Sequence, residues 1–376
     1  MKKASTVFIA LASVLFLFAL VYKLQDDKPT NVEHPQEPKP PYPYYFEDVV
    51  FQNIKAGISL SGTLTLPSRT GKFPVVVLIT GSGPQDRNEE VNNGHKPFLV
   101  IADYLTRRGI AVLRYDDRGT YKSSGNFQMA NSLDFSDDVE SAVSYLKTRK
   151  EIDSGKIGLI GHSEGATIAS IVASRSNQIA FLISMAGPGL RGDSLMLIQG
   201  EFTGRSLGLT EERIQMIRKM NSGAYKIVLQ SQDLETSKSS LSAYALRFKD
   251  LLKDDVPPNM TFDQFIGQQV EVITSPWWQF FLRHDPAATY QKVMCPVLVL
   301  NGNKDLQVTS KENLPAILSA LEIAKNKNVT IKEIAGVNHF FQECETGSAK
   351  EYANIEQTFS PLVLKQMTMW IQKQVN

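Results

Sequence analysis

The sequence predicts an α/β fold, a mostly parallel sheet with helices on both faces and an inserted helical lid. Three observations carry this reading. Strands that are apolar throughout alternate with amphipathic helical segments, the pattern of a parallel sheet covered on both sides. A Gly-x-Ser-x-Gly turn joins one of these strands to a helix. About a hundred residues of helical character, 188–290, then interrupt the alternation without a clear strand.

The elements follow in order. Tyr45 to Pro67 holds two β-rich runs around Lys55-Ala56-Gly57, which suggests an antiparallel hairpin. Phe73 to Thr80 is a continuous apolar strand, and residues 95–108 place Phe98, Ile101, Ala102 and Leu105 on one helical face. Ile110 to Tyr115 is the next buried strand. Residues 132–148 form an amphipathic helix with Phe135, Val139, Ala142, Val143 and Leu146 in one stripe. Asp134, Asp137 and Asp138 near its start suit the helix dipole. Lys156 to Gly161 is a strand, residues 164–175 a small-residue helix, and Ala180 to Met185 a strand. After the lid come strands at Pro296 to Asn301 and Val329 to Ile334. A C-terminal helix ends near Gln374 and begins at Asn354 or Ser360, with Pro361 as a break.

Before residue 45 the chain does not read as fold. Lys2 and Lys3 precede an apolar run from Val7 to Tyr22, the order of an export signal. The run is about 16 residues, slightly under the ~17–25 of a spanning helix. Extension to Leu24 would suffice, so a cleaved signal and a membrane tether through residues 4–24 both stay open. Either implies an exported, extracytoplasmic protein. Pro29, Pro35, Pro38, Pro40, Pro41 and Pro43 make residues 25–44 a tether of extended character. His34 lies in it and is given no catalytic role. The domain reading is therefore 1–24 signal or anchor, 25–44 tether, and 45–376 a single domain with its lid.

Of the 376 residues, acidic and basic side chains nearly cancel, leaving a net charge of +1. No clustered basic excess points to nucleic acid, and no His/Cys/carboxylate cluster has metal-ligand spacing. No organic cofactor is implied. The partner expected is a small molecule.

Gly161-His162-Ser163-Glu164-Gly165 follows a strand and opens a helix. So tight a turn leaves no room for side chains at 161 and 165. It holds Ser163 in a strained conformation with the hydroxyl above the sheet edge. A serine nucleophile needs a base, and the base an orienting acid. With the chain order serine, acid, histidine, only His284 and His339 can be the base. His339 follows the last strand and can reach Ser163, whereas His284 ends the lid. Asp305, in the Asn301-Gly302-Asn303-Lys304-Asp305 turn after the preceding strand, is the candidate acid, with Asp193 as the alternative. An oxyanion hole would take the Glu164 N–H and one from Gly81-Ser82-Gly83, with Ser82 first and Gly83 next. Asp86 and Arg87 read as an ion pair bracing that loop. Trp277 and Trp278, in the densest aromatic cluster of the chain, are candidate substrate-binding residues of the pocket wall. Cys295 and Cys344 should be free thiols. Cys295 begins a strand whose far end lies at the active edge, about 23 Å away at ~3.3 Å per residue, whereas Cys344 lies near that edge.

Together these stretches resemble a bacterial carboxylesterase of the α/β-hydrolase superfamily, in the branch related to prolyl-oligopeptidase catalytic domains and dienelactone-hydrolase-like proteins. They are Gly81 to Arg87, Tyr115 to Gly119, Gly161 to Gly165, Ser275 to Trp278 with Asp285-Pro286, Asn301 to Asp305, and Asn338 to Gln342. The resemblance covers residues 45–376 and implies the α/β-hydrolase fold with Ser163, Asp305 and His339 as a triad. It departs at Tyr121, which stands where similar proteins have a second glycine, so the shape of that loop is in question. The expected activity is hydrolysis of small or short-chain carboxylic esters. A serine aminopeptidase or amidase on the same triad is the alternative enzyme, and would need a carboxylate pair such as Glu211-Glu212 to grip a free amine. A non-catalytic hydrolase-like binding protein is the alternative of another class, and would be expected to lack a triad member.

Overall fold

A computed structural model describes residues 32–91, 94–352 and 354–376. The apolar segment at residues 4–24 lies outside the described residues. Among those described, no helix is long and apolar enough to cross a membrane.

Eight strands form one sheet in the order β1-β2-β4-β3-β5-β6-β7-β8. β1 (Tyr45–Asn53) and β2 (Ile58–Leu66) pair antiparallel about a turn at Gly57, whose φ of 66° suits a residue without Cβ. β2 then pairs antiparallel with β4 (Ala111–Tyr115). From there β3 (Phe73–Ile79), β5 (Ile152–His162), β6 (Phe181–Met185), β7 (Val297–Gly302) and β8 (Val329–Ile334) run parallel with their neighbours.

Alternation along β3 explains why that strand is apolar throughout. Val75, Val77 and Ile79 face one core, Val76 and Leu78 the other. The first core packs against helices α2 (Ser132–Lys147), α3 (Glu164–Arg175) and α9 (Ser310–Ile323), through Val139, Val172 and Ile317 among others. The second packs against α1 (Pro97–Thr106) and α10 (Pro361–Val375), through Phe98, Leu105, Met367 and Ile371. Asn131 caps α2 in a reciprocal box with Asp134. The C-terminal helix begins at Pro361 itself, in the first turn, where a missing N–H costs nothing.

The chain leaves β3 for β4 on one side and returns to β5 on the other. This reversal opens a crevice at the carboxyl ends of β3 and β5, where ligands bind in open α/β sheets. The Gly81 loop and Ser163 both emerge there.

Between β6 and β7 lie the helices α4 (Gly192–Ser206), α5 (Glu211–Gln230), α6 (Leu234–Ala245), α7 (Phe262–Ile273) and α8 (Pro276–Arg283), with shorter turns. They have a core of their own, built from Ile217, Met220, Tyr225, Val228, Phe265, Ile266, Trp278 and Leu282. Thr210 caps α5, and Glu211 and Glu212 occupy its first turn. Glu211 pairs with Arg205 on an exposed surface.

Residues 32–44, expected as an extended tether, instead lie against the body. The Gln36 side chain accepts from Thr358 N (2.6 Å) and Phe359 N (2.9 Å) and donates to Phe359 O (2.8 Å). Glu37 pairs with Lys96 at 3.2 Å, and the His34 ring meets the His95 ring edge-on. Proline content reports backbone stiffness but is silent on a single amide that docks like a strand partner. Both cysteines are free thiols.

Candidate active site

The turn that carries Ser163 is built from contacts that only glycine permits. A Cβ at Gly161 would sit 2.1 Å from Gly165 O, and one at Gly165 2.1 Å from Ile79 O. Ser163 between them has φ 53°, ψ −119°, a conformation costing roughly 1–3 kcal/mol. Its N–H is held by Met185 O at 2.8 Å, so the neighbouring strand helps to fix the turn. The side chain is thereby raised over the sheet edge into a cavity of about 60 Å³.

His339 follows β8, and its Nδ1 lies 2.8 Å from Asp305 Oδ2. Asp305 is fully enclosed. Its other oxygen accepts from the N–H groups of Gln307 (2.8 Å) and Val308 (2.9 Å). These bonds fix the carboxylate in one orientation and leave Nε2 as the ring nitrogen open to the cavity. Ser163 and His339 both line that cavity. No hydrogen bond joins their side chains among the described residues, and such contacts commonly tighten only with substrate present. Asp193, the alternative acid, is held by Arg191 at 2.6 Å and 2.8 Å in the first turn of α4. His284 ends α8, stacked on Phe280 and 3.3 Å from Thr289 Oγ1.

Glu164 opens α3, so its N–H has no partner within that helix. The Ser82 N–H makes no hydrogen bond among the described residues, and Ser82 lines the same cavity as Ser163. Gly83, at φ 96°, faces a smaller void behind the loop, with Thr80, Asp117 and Tyr115. The Gly81 N–H is already engaged by Glu89 Oε1 at 2.7 Å. Of the three loop residues, Ser82 is therefore the one placed to offer a free donor.

That loop is braced differently from the expectation. Arg87 does not pair with Asp86, because adjacent side chains diverge. It reaches Asp116 instead, with Nε–Oδ1 at 3.0 Å and an Nη2–Oδ2 contact of 2.7 Å. Asp86 accepts from the N–H groups of Asn88 and Glu90. Asp117 accepts from Thr80 Oγ1 and Gln85 N, and burial pushes its carboxyl well above the ordinary range. Tyr121 takes φ 43°, so the loop keeps the left-handed turn a glycine would make there.

The two tryptophans part company. Trp277 lines the cavity and donates its Nε1 to Glu164 Oε1 at 2.7 Å. Trp278 is only 1% exposed, in the lid core and stacked on Tyr225, so its assignment to substrate is corrected. Successive residues on a helix point about 100° apart, and here that step turns Trp278 from the cavity into the lid core. Glu164 Oε1 also accepts from Ser132 Oγ at 2.7 Å. Burial raises the Glu164 carboxyl above its usual value, and the bonds from Ser132, Trp277 and Ser82 oppose that rise.

Several cavity residues gave no sequence signal: Leu195, Met196 and Gln199 of α4, with Pro188 and Gln307, line the wall beside Phe281 and Phe340. Glu89 and His162 lie at its floor.

Comparison with known proteins places this geometry. The chain is 27% identical over 329 residues to esterase EstD of Thermotoga maritima, covering 85% of this chain and 68% of that protein. A solved alpha/beta hydrolase, GrgF of a Penicillium species, superposes with a TM-score of 0.52 at 16% identity, covering 88% and 99% of the two chains. An esterase of Pyrococcus furiosus gives 0.51 at 16% identity, covering 92% and 98%. These likenesses in structure show the α/β-hydrolase fold. Residues 56–333 match the family described as X-Pro dipeptidyl-peptidase (S15 family), and the chain belongs to that family of serine hydrolases.

Proposed function

We propose that this protein is a carboxylesterase that hydrolyses small or short-chain esters through an acyl-enzyme on Ser163. The observation that carries the reading is the Asp305–His339 pair, held at 2.8 Å and opening onto the cavity that Ser163 shares with Ser82 and Glu164. Ser163 Oγ attacks the ester carbonyl carbon while His339 Nε2 takes its proton. The N–H groups of Ser82 and Glu164 face the oxygen on which charge develops. Collapse breaks the carbonyl–alkoxide bond, and His339 returns the proton to the departing alkoxide. Water then attacks the acyl-enzyme by the same route and frees the acid and Ser163.

Cavity size supports a small substrate. A water needs roughly 10–15 Å³ on a comparable measure. About 60 Å³ therefore admits an acetyl- or butyryl-sized group without movement of the lid. Likeness to a named esterase supports the ester bond as target.

The family description keeps a peptidase as the second reading. A dipeptidyl substrate brings a charged amine that needs an unengaged carboxylate. The two carboxylates lining the cavity, Glu89 and Glu164, are both committed to protein donors, and the exposed Glu211 pairs with Arg205. That favours the ester. The purified protein assayed on nitrophenyl esters of rising chain length, beside aminoacyl and X-Pro nitroanilides, separates the two. Ester turnover falling with chain length is expected. Faster turnover of an X-Pro nitroanilide would overturn the proposal. Lys2, Lys3 and the apolar run after them support export as part of the same reading.

A further inference from the structure

His162, inside the nucleophile turn, has acceptors at both ring nitrogens. Its Nδ1 lies 2.9 Å from Glu89 Oε1, and its Nε2 lies 3.0 Å from the backbone oxygen of His339. A carbonyl oxygen cannot donate, so Nε2 carries a hydrogen. Glu89 Oε1 already accepts the Gly81 N–H at 2.7 Å, so it faces the ring as an acceptor too. A neutral imidazole has one N–H and could satisfy only one side. The side chains of both residues are almost completely enclosed, at 4% and 3% exposure, with Phe340 and Phe341 rings packed on His162. A buried charge in such surroundings persists when it is paired and hydrogen-bonded, as here. Glu89 also sits at φ 52°, a left-handed backbone that a glutamate adopts only when something else holds it.

We propose that Glu89 and His162 form a buried carboxylate–imidazolium pair that positions the three catalytic loops against one another. Through Glu89 it holds the oxyanion loop at Gly81. Through the His162 ring it holds the backbone of His339, and through the chain itself the next residue, Ser163. Both are positioning residues, since each acts through the loop it holds. The inference rests on the Ser163–His339 reading of the site. Burial works against the charged ring, but the Glu89 carboxylate and the His339 carbonyl outweigh it and raise His162 above the ordinary histidine value. Asp305 acts in the same direction, and the other titratable group facing the ring is His339, 4.9 Å away between centroids.

Replacing the carboxylate by its amide, Glu89→Gln, removes the counter-charge at constant shape. The neutral ring must then abandon either Oε1 or the His339 carbonyl. Loss of that register should lower kcat on p-nitrophenyl acetate roughly ten- to hundredfold, as displaced catalytic groups do. KM should change less than kcat, because the amide keeps the shape of the carboxylate it replaces in the cavity lining. The protonation state is read separately by nitrogen-15 NMR of histidine-labelled protein, the signal being assigned through His162→Asn. Wild type and Ser163→Ala should both show His162 protonated at both nitrogens at neutral pH, above the ordinary histidine value. A His162 ring with one bare nitrogen at neutral pH would overturn the proposal, and that measurement does not need the variant to fold. So would a folded Glu89→Gln enzyme with unchanged kcat. Activity surviving in Ser163→Ala would instead remove the functional reading, while the NMR result would stand on its own.

Discussion

At the scale of single residues, the site depends on backbone that only certain side chains tolerate. Ser163 at φ 53° is kept there by two glycines whose Cβ atoms would overlap backbone at 2.1 Å. Asp305 differs from Asp193 in where its oxygens are spent, on His339 in one case and on Arg191 in the other. Asp305→Asn should therefore lower kcat on the order of 10³–10⁴-fold by leaving His339 in the wrong tautomer. Asp193→Asn should leave it within about twofold, and steady-state kinetics on a nitrophenyl ester compares them. That Ser163, Asp305 and His339 gather at one edge of the sheet was legible in the sequence, because each stands in a turn just after a strand, and strands are legible from apolar runs. Glu89 was not, since no periodicity marks a residue eight positions beyond the glycine it binds. His162 hid inside the motif, where its side chain reads as an arbitrary x. Arg87 was read as bound to Asp86 because nearness in sequence was taken for nearness in space. The partner, Asp116, comes from the turn just after the next strand.

At the scale of elements, the lid is a helical body with its own core, and Trp277 joins it to the turn that carries Ser163. Trp277 donates to Glu164 and stacks on Phe281 at 4.8 Å, whereas Trp278 packs inward. Trp278→Ala should cost about 3–5 kcal/mol of stability by leaving a cavity in the lid core. It should not change the ratio of acetate to octanoate ester turnover. Trp277→Phe keeps most of the ring but loses the bond to Glu164, and should shift that ratio toward the longer ester. Chemical denaturation with ester profiling checks both. If Trp277→Phe and wild type share one ratio, Trp277 is not a specificity wall. Helical character of the lid was legible, but the partition of its aromatics was not, because α8 is short and both tryptophans belong to its one apolar side. Cys295 lies just before β7, and burial pushes its thiol up to about 12. Its thiolate is scarce at pH 8, so alkylation by iodoacetamide should be slow in the native protein and fast in urea.

At the scale of the whole molecule, the order of strands places the site. The reversal about β3 sets the Gly81 loop beside the Ser163 turn, and the parallel run from β5 to β8 brings Asp305 and His339 to the same edge. Alternating apolar strands and helices made this architecture legible. Docking of residues 32–44 escaped, because it rests on specific hydrogen bonds rather than on a buried apolar stripe. Gln36→Ala removes the partner of two N–H groups and one carbonyl near the start of α10. A loss of about 1–3 kcal/mol is expected, read as a lower midpoint in urea with esterase turnover unchanged in the native baseline. The measurement that tests the central claim most directly is labelling by a fluorophosphonate probe, mapped by mass spectrometry, with ester turnover measured on Ser163→Ala. The account predicts that Ser163 alone is labelled and that its loss lowers turnover roughly 10⁴–10⁶-fold in a protein that still folds. Labelling of another serine, or activity that survives the substitution, would contradict it.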